Sequence, residues 1–392
     1  MRSPAPAHAR ISIIGAGPGG LTCARVLRQH GIAATVYDRD PDAASRDQGG
    51  SLDLHEEDGQ LALREAGLIE EFFALARLES QEERRLDTKG RLLGHRLPAE
   101  GETARPEIDR GQLRDLLLRS LDAGTVRWGR AVKSVSGPAD GPRTLTFTDG
   151  STVETDLVVG ADGAFSRVRA AVSDAVPRYT GVGFLEAWFD AVESAHPELA
   201  DLVGRGSAHV ADGERGLFAQ RNSGGHMRVY LMRRVPLDWM AASGLRPEDT
   251  EGIRARLLTE YAGWSPNILR LITENDGAYV DRPLFALPVP HTWRHTPGVT
   301  LLGDAAHLMP PLGVGVNLAM LDAAELALAL ARSATVDDAV RTYEKTMLPR
   351  SAEIAGMLED GAGFLLEEPD AEDLARDPLA AERAGGREGA GG

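Results

Sequence analysis

The sequence predicts an α/β protein of two lobes, and three observations carry that expectation. A short apolar strand at residues 10–15 runs through a glycine-rich turn into a helix, and a second apolar strand follows at 32–37. At 392 residues the chain exceeds the usual size of a single hydrophobic core. From about residue 176 to 290 the pattern changes to strand-like runs separated by loops, which marks the second lobe.

The first strand–turn–helix carries Gly15, Gly17, Pro18, Gly19 and Gly20, a G-x-G-x-x-G placed where a dinucleotide-binding turn belongs. Gly15 allows the tight turn and Gly17 admits a pyrophosphate close to the backbone. Gly20 lets helix and strand pack, and the helix N-terminus over 19–30 faces the negative charge. Asp38 ends the second strand 23 residues after Gly15, where a carboxylate can accept from an adenosine ribose. A Rossmann-like domain follows from these features. Cys23, the single cysteine, falls within the first helix and reads as inert packing.

Further along, residues 110–121 place Leu113, Leu116, Leu117 and Leu121 on one helical face. Asp149-Gly150 between two apolar runs signals a hairpin, and 156–160 reads as a buried strand ending in Gly160-Ala161-Asp162-Gly163. Strand-like runs at 184–189, 216–220 and 227–233 belong to the second lobe. A last buried strand, 299–302, precedes Gly303-Asp304-Ala305-Ala306-His307 and a helix over 317–331 so rich in Ala and Leu that it should be buried on several sides. The domain organisation expected is a discontinuous dinucleotide-binding domain over 10–75, 105–175 and 291–335, with a substrate domain over 76–104 and 176–290. A C-terminal helix over 336–368 completes it, with disordered ends at 1–9 and 369–392.

The formal net charge of −16 argues against nucleic acid and against an anionic membrane surface, and no apolar run approaches the ~20 residues of a membrane span. With one cysteine no intramolecular disulfide forms, and no targeting segment is recognisable. A small-molecule ligand bound between the lobes, a cytoplasmic location, and a monomer or homodimer are expected. The histidines form no metal-ligand spacing, and no triad or carboxylate pair stands at catalytic spacing.

The Gly303–His307 string with Pro310, Pro311, Gly313 and Gly315 resembles the second fingerprint of FAD enzymes, in which the Asp carboxylate holds a ribityl hydroxyl and the following helix start faces the flavin. The Asp162-Gly163 pair resembles the motif that flavoprotein hydroxylases place near both the FAD and the NAD(P)H pyrophosphates. In this order the three motifs resemble the class A flavin monooxygenases of p-hydroxybenzoate hydroxylase fold, from about Ile11 to about Leu348. Gly49-Gly50-Ser51-Leu52-Asp53-Leu54-His55 and 303–311 are similar to the tetracycline-inactivating members.

That resemblance implies FAD contacts at Asp38, Arg39, Asp53, Arg110, Arg114, Asp304, Pro311, Gly313, Gly315, Val316 and Asn317, and an NADPH contact at Arg46. It implies that NAD(P)H reduces FAD and that the reduced flavin, as a C4a-hydroperoxide, hydroxylates a small aromatic, phenolic or polyketide-like molecule, a tetracycline being one candidate. An FAD-dependent reductase or oxidase on the same fold, or a non-catalytic flavin-binding sensor, are the alternatives. The stretch from His307 to Gly315 is one residue shorter than the usual family loop. Glu186, Trp188, Gln220 and Arg221 are candidates for the substrate side, and His307 reads as a loop-structuring residue.

Overall fold

The computed structural model describes residues 3–45, 49–138, 141–358 and Leu366. These divide into two compact units: one gathers the chain through Leu78, Glu102–Thr180 and the stretch from Leu284 to the end of the C-terminal helix, the other Glu79–Gly101, Gly181–Pro283 and Leu366.

The first unit is built on five parallel strands: β1 (Ile11–Ile14), β2 (Ala34–Tyr37), β3 (Val126–Arg127), β4 (Leu157–Gly160) and β5 (Val299–Leu301), in the spatial order β5-β4-β1-β2-β3. β1, β4 and β5 are buried along their whole length, as strands covered on both faces must be, which is why they read as unbroken apolar runs. Among the helices of this unit are α1 (Pro18–Gln29), α2 (Arg110–Arg119), the single turn α3 (Asp304–His307), α4 (Gly315–Arg332) and α5 (Val336–Met357). α4 buries ten residues, mostly Ala and Leu, as its composition leads one to expect. Cys23 is wholly buried in α1, and burial pushes its thiol up to about 12, which leaves it inert.

A three-stranded antiparallel sheet, Val132–Ser136, Arg143–Phe147 and Thr152–Thr155, contains the expected hairpin. Its turn closes with the Gly150 N–H donating to the Phe147 carbonyl at 3.0 Å, and the φ of +82° at Gly150 is the reason glycine stands there.

At the N-terminus, where composition suggests fraying over 1–9, the described residues from Ser3 onward are tied down. The first turn of α5 has backbone donors with no intrahelical partner, and Val336 N–H donates to the Pro4 carbonyl while Asp337 N–H donates to the Ser3 hydroxyl, each at 3.0 Å. α5 itself belongs to the first unit rather than standing apart. The Tyr343 hydroxyl donates to the Leu301 carbonyl at 2.9 Å, and buried Glu344 accepts from Trp293, His295 and Thr300. Residues 369–392 lie outside the described part.

The second unit carries a seven-stranded sheet in the order Val280–Ala286, Arg178–Phe189, Met227–Arg234, Arg215–Arg221, Ser207–Ala211, Glu83–Leu86 and Leu92–Arg96. Period-two alternation divides it into two faces. Leu185, Ala187, Phe189, Leu217, Ala219, Val229 and Leu231 pack with helix residues such as Leu199, Ile253, Leu257 and Ile268 into a core of their own. The other face carries Phe184, Glu186, Trp188, Phe218, Gln220, Arg228 and Tyr230. Within this unit the Gly213 N–H donates to the Leu366 carbonyl at 2.8 Å, and Leu366 is fully buried.

Candidate cofactor and substrate sites

The three glycine-bearing turns meet at the carboxyl ends of adjacent strands. Ile14 is paired with Gly160, and Gly160 with Leu301, so Gly15, Ala161-Asp162 and Gly303 emerge side by side. In open parallel sheets this edge is where ligands bind.

Close approach explains the glycines. At Gly15 a Cβ would lie 2.2 Å from the Ala161 carbonyl oxygen, and the φ is +111°. At Gly20 it would lie 2.0 Å from the Gly15 oxygen, and at Gly19 2.8 Å from Leu302 and 3.0 Å from the Ala319 oxygen of α4. At Gly303 it would meet the Ala319 Cβ at 2.7 Å. Residue Ala319 thus brings the first and last turns against one helix. Gly17 differs: it is extended, at φ −82° and ψ 177°, and a Cβ there would meet nothing within 4 Å. Open space therefore stands over the N-terminus of α1, where the N–H groups of Gly19 and Gly20 have no intrahelical acceptor.

Asp38 is buried and both its oxygens are engaged, accepting from Ala16 N–H at 2.6 Å and Asp40 N–H at 2.8 Å. Two lone-pair positions remain for a ribose, so the side chain clamps the turn and can still face a ligand. Arg39 is exposed beside it. Arg114 is 2% exposed and braces the first turn: its Nε donates to the Ala16 carbonyl and its Nη1 to the Ala43 carbonyl, and its guanidinium lies 5.2 Å from the Trp128 ring centre. Arg110 is half-buried, and its Nε lies 3.7 Å from where a Cβ on Gly49 would stand. Arg46 lies outside the described residues.

Asp162 also turns inward. Its carboxylate accepts from the Ser166 hydroxyl and from Arg167 and Val168 N–H, capping the turn that follows, while burial pushes its pKa up. Gly163, at φ +77°, leaves open space. Asp304 stands at the start of α3, exposed, with no hydrogen bond or ion pair from its side chain to any described residue. Asp53 faces Gly313, whose Cβ would lie 3.7 Å from both carboxylate oxygens, and Asp53 holds His55 at 2.9 Å. Pro311 and Gly313 are solvent-facing, Pro311 the more so.

The Asn317 side chain, also implied as an FAD contact, is fully used within the protein. Its amide donates to the carbonyls of Asp53 and Gly313 and accepts from His55 and Gly59 N–H, which saturates both ends of the group. At the start of α4 the N–H groups of Gly315, Val316 and Asn317 lack acceptors within the helix and could receive a ligand's negative charge.

Two supporting residues carry no motif in the sequence. Arg169, 3% exposed, donates to the carbonyls of Ala164, Asp304 and Ala305, so one guanidinium ties the Asp162 turn to the Asp304 turn. Asp322, 1% exposed, accepts from Gly303 N–H and His307. A carboxylate on the buried face of an Ala/Leu helix was the available signal, because such a group requires partners. His307 is the structuring residue expected: burial opposes its charged form, but Asp322 beside it raises its pKa.

On the second unit, Glu186, Trp188 and Gln220 share the sheet face opposite that unit's core, Glu186 and Gln220 buried and Trp188 half-buried. Arg228 pairs with Glu186 and lies 4.3 Å from the Trp188 ring centre, and Arg282 holds the second Glu186 oxygen at 2.9 Å. Arg221 is separated from them: one residue after Gln220 it points to the opposite face and pairs with Glu193.

The family described as FAD binding domain matches residues 8–356. A monooxygenase of Emericella nidulans, asqM, is 34% identical over 82% of this chain and 84% of its own length. The 3-amino-4-hydroxybenzoate 2-monooxygenase of Streptomyces cremeus is 32% identical over 88% of this chain and 84% of its own. Among solved structures, the tetracycline destructase Tet(55) superimposes with a TM-score of 0.69 at 22% identity, covering 98% of this chain and 95% of its own.

Proposed function

The chain belongs to the FAD binding domain family, and from that membership we propose that it uses NAD(P)H and dioxygen to hydroxylate a small aromatic, phenolic or polyketide-like molecule. The observation that carries the reading is the convergence of three turns at one sheet edge around two helix N-termini, with the Asp304 carboxylate unengaged among the described residues and the space over Gly17 open. These features fit FAD: the α1 N-terminus would meet the pyrophosphate, Asp38 the ribose, Asp304 the ribityl chain and the α4 N-terminus the ring. Bound there, FAD supplies acceptance of the reductant's electrons and activation of dioxygen.

The protein's own part is to bind, orient and shield. Backbone donors at the start of α4 favour negative charge on the ring beside them. The sheet face opposite the core of the second unit has the chemistry for a planar substrate: Phe184, Trp188, Phe218 and Tyr230 offer ring contacts, and the Glu186–Arg228–Arg282 group offers donors and acceptors to hydroxyl or carboxyl substituents. Hydroxybenzoates and tetracyclines both have this character. NADPH consumption under a panel of both, with isotope-labelled dioxygen, tests the reading. A substrate that stimulates consumption should carry one labelled oxygen. Reductant oxidation that yields only peroxide with every compound would overturn it.

A further inference from the structure

The Asp304 side chain makes no hydrogen bond or ion pair among the described residues, so where its carboxylate stands follows from the placement of its turn. That turn cannot hold itself: α3 is a single turn of four residues, too short to offset the cost of helix nucleation. Its shape is imposed from outside, and Asp322 is positioned to do so. One oxygen of Asp322 takes the Gly303 N–H at 3.1 Å and His307 Nε2 at 2.6 Å, gripping the residue before α3 and its last residue together. The other oxygen takes Arg350 Nη2 from α5 at 2.8 Å, and Arg350 is held in turn by Glu325 at 2.7 and 2.8 Å.

We propose that Asp322 and Arg350 are positioning residues for FAD, acting through the Gly303–His307 turn, so that the C-terminal helix α5 helps set cofactor affinity. The proposal rests on Asp304 being an FAD ligand. Among the described residues the guanidinium of Arg350 bonds to Asp322 and Glu325 and not to the turn, so its influence must pass through Asp322. Removing Arg350 leaves Asp322 drawn toward His307 and the Gly303 N–H alone, with nothing fixing it from the side of α5. The turn then relaxes and the Asp304 carboxylate moves with it.

The test is a double-mutant cycle on the full chain, reading the FAD dissociation constant by flavin fluorescence in apoprotein titrations. Arg350→Gln should weaken FAD binding about tenfold, the size of one charge-assisted contact, and Arg350→Lys should recover most of the loss. In an Asp304→Ala background the same Arg350→Gln change should shift the constant by less than about twofold, because the carboxylate that Arg350 helps to place is gone. A general loss of structure would act equally in both backgrounds, and that result overturns the proposal. So does an unchanged constant for Arg350→Gln. If Asp304→Ala by itself leaves FAD binding intact, the reading of Asp304 as ligand fails, and the proposal fails with it. Should Arg350→Gln prove too unstable to titrate, Glu325→Gln frees Arg350 from its other side, and a shift that disappears with Asp304→Ala is again expected.

Discussion

Gly17→Ala and Gly15→Ala separate the ligand's demands on the first turn from those of the fold. At Gly17 the backbone is extended and a Cβ would meet nothing within 4 Å, so alanine costs the apoprotein nothing sterically and limits the unfolded chain, a gain of about 0.4–1 kcal/mol. The same methyl stands in the space a pyrophosphate would enter, and an overpacked contact of that kind costs about 1–3 kcal/mol, or roughly fivefold to 150-fold in affinity. At Gly15 both penalties fall on the protein. The φ of +111° and the 2.2 Å approach to the Ala161 oxygen cannot be relieved without parting β1 from β4, for a total of about 2–6 kcal/mol. Thermal melts of the apoproteins and FAD titrations of each read the two effects. Gly17→Ala should melt no lower than wild type yet bind FAD weakly, whereas Gly15→Ala should lose stability even without FAD. Wild-type FAD affinity in Gly17→Ala, or a wild-type melt for Gly15→Ala, would refute the reasoning.

Arg169→Met should strip donors from three carbonyls at once and lower both apoprotein stability, by about 1–3 kcal/mol per group left unsatisfied, and FAD affinity; equal melts for the two proteins would remove Arg169 from the site's support. The His307–Asp322 pair carries a pH signature. His307 is raised above its ordinary 6.5, so its contribution is complete below about that pH and is lost as pH rises through the raised value, whereas Asp322, held below 3.8, loses its contribution only as pH falls through its lowered value. The stability difference between wild type and His307→Gln, followed by denaturant titration, should therefore shrink as pH rises above about 6.5, and a difference that stays constant as pH rises would exclude a charged pair. Arg46→Ala should slow anaerobic flavin reduction at sub-saturating NADPH, an effect that weakens as salt screens the wild-type contact, without changing FAD content. Stopped-flow bleaching of the flavin reads it, and wild-type rates at all NADPH concentrations would make Arg46 a plain surface cation.

The Gly15–Gly20 turn, Asp38 at the end of β2, the hairpin at Asp149-Gly150 and the apolar strands β4 and β5 were determined by the sequence alone, because each is local chemistry: a positive φ, a helix start, a period of side-chain burial. So was the order of the three turns that marks the family. What each polar side chain near those turns does was decided only by the tertiary structure. Arg114, Asp162 and Asn317 sit in motif positions, and only the fold shows that their polar atoms reach backbone groups of Ala16, Val168 and Asp53. Arg169 and Asp322 carry no motif and hold the Asp304 turn in place. Adjacent positions on one strand likewise send Gln220 and Arg221 to opposite faces of the sheet. The physical reason is that a buried donor or acceptor must find its partner in three dimensions, from segments as far apart as Asp53 and Asn317, and no local pattern records which segment will be brought within reach.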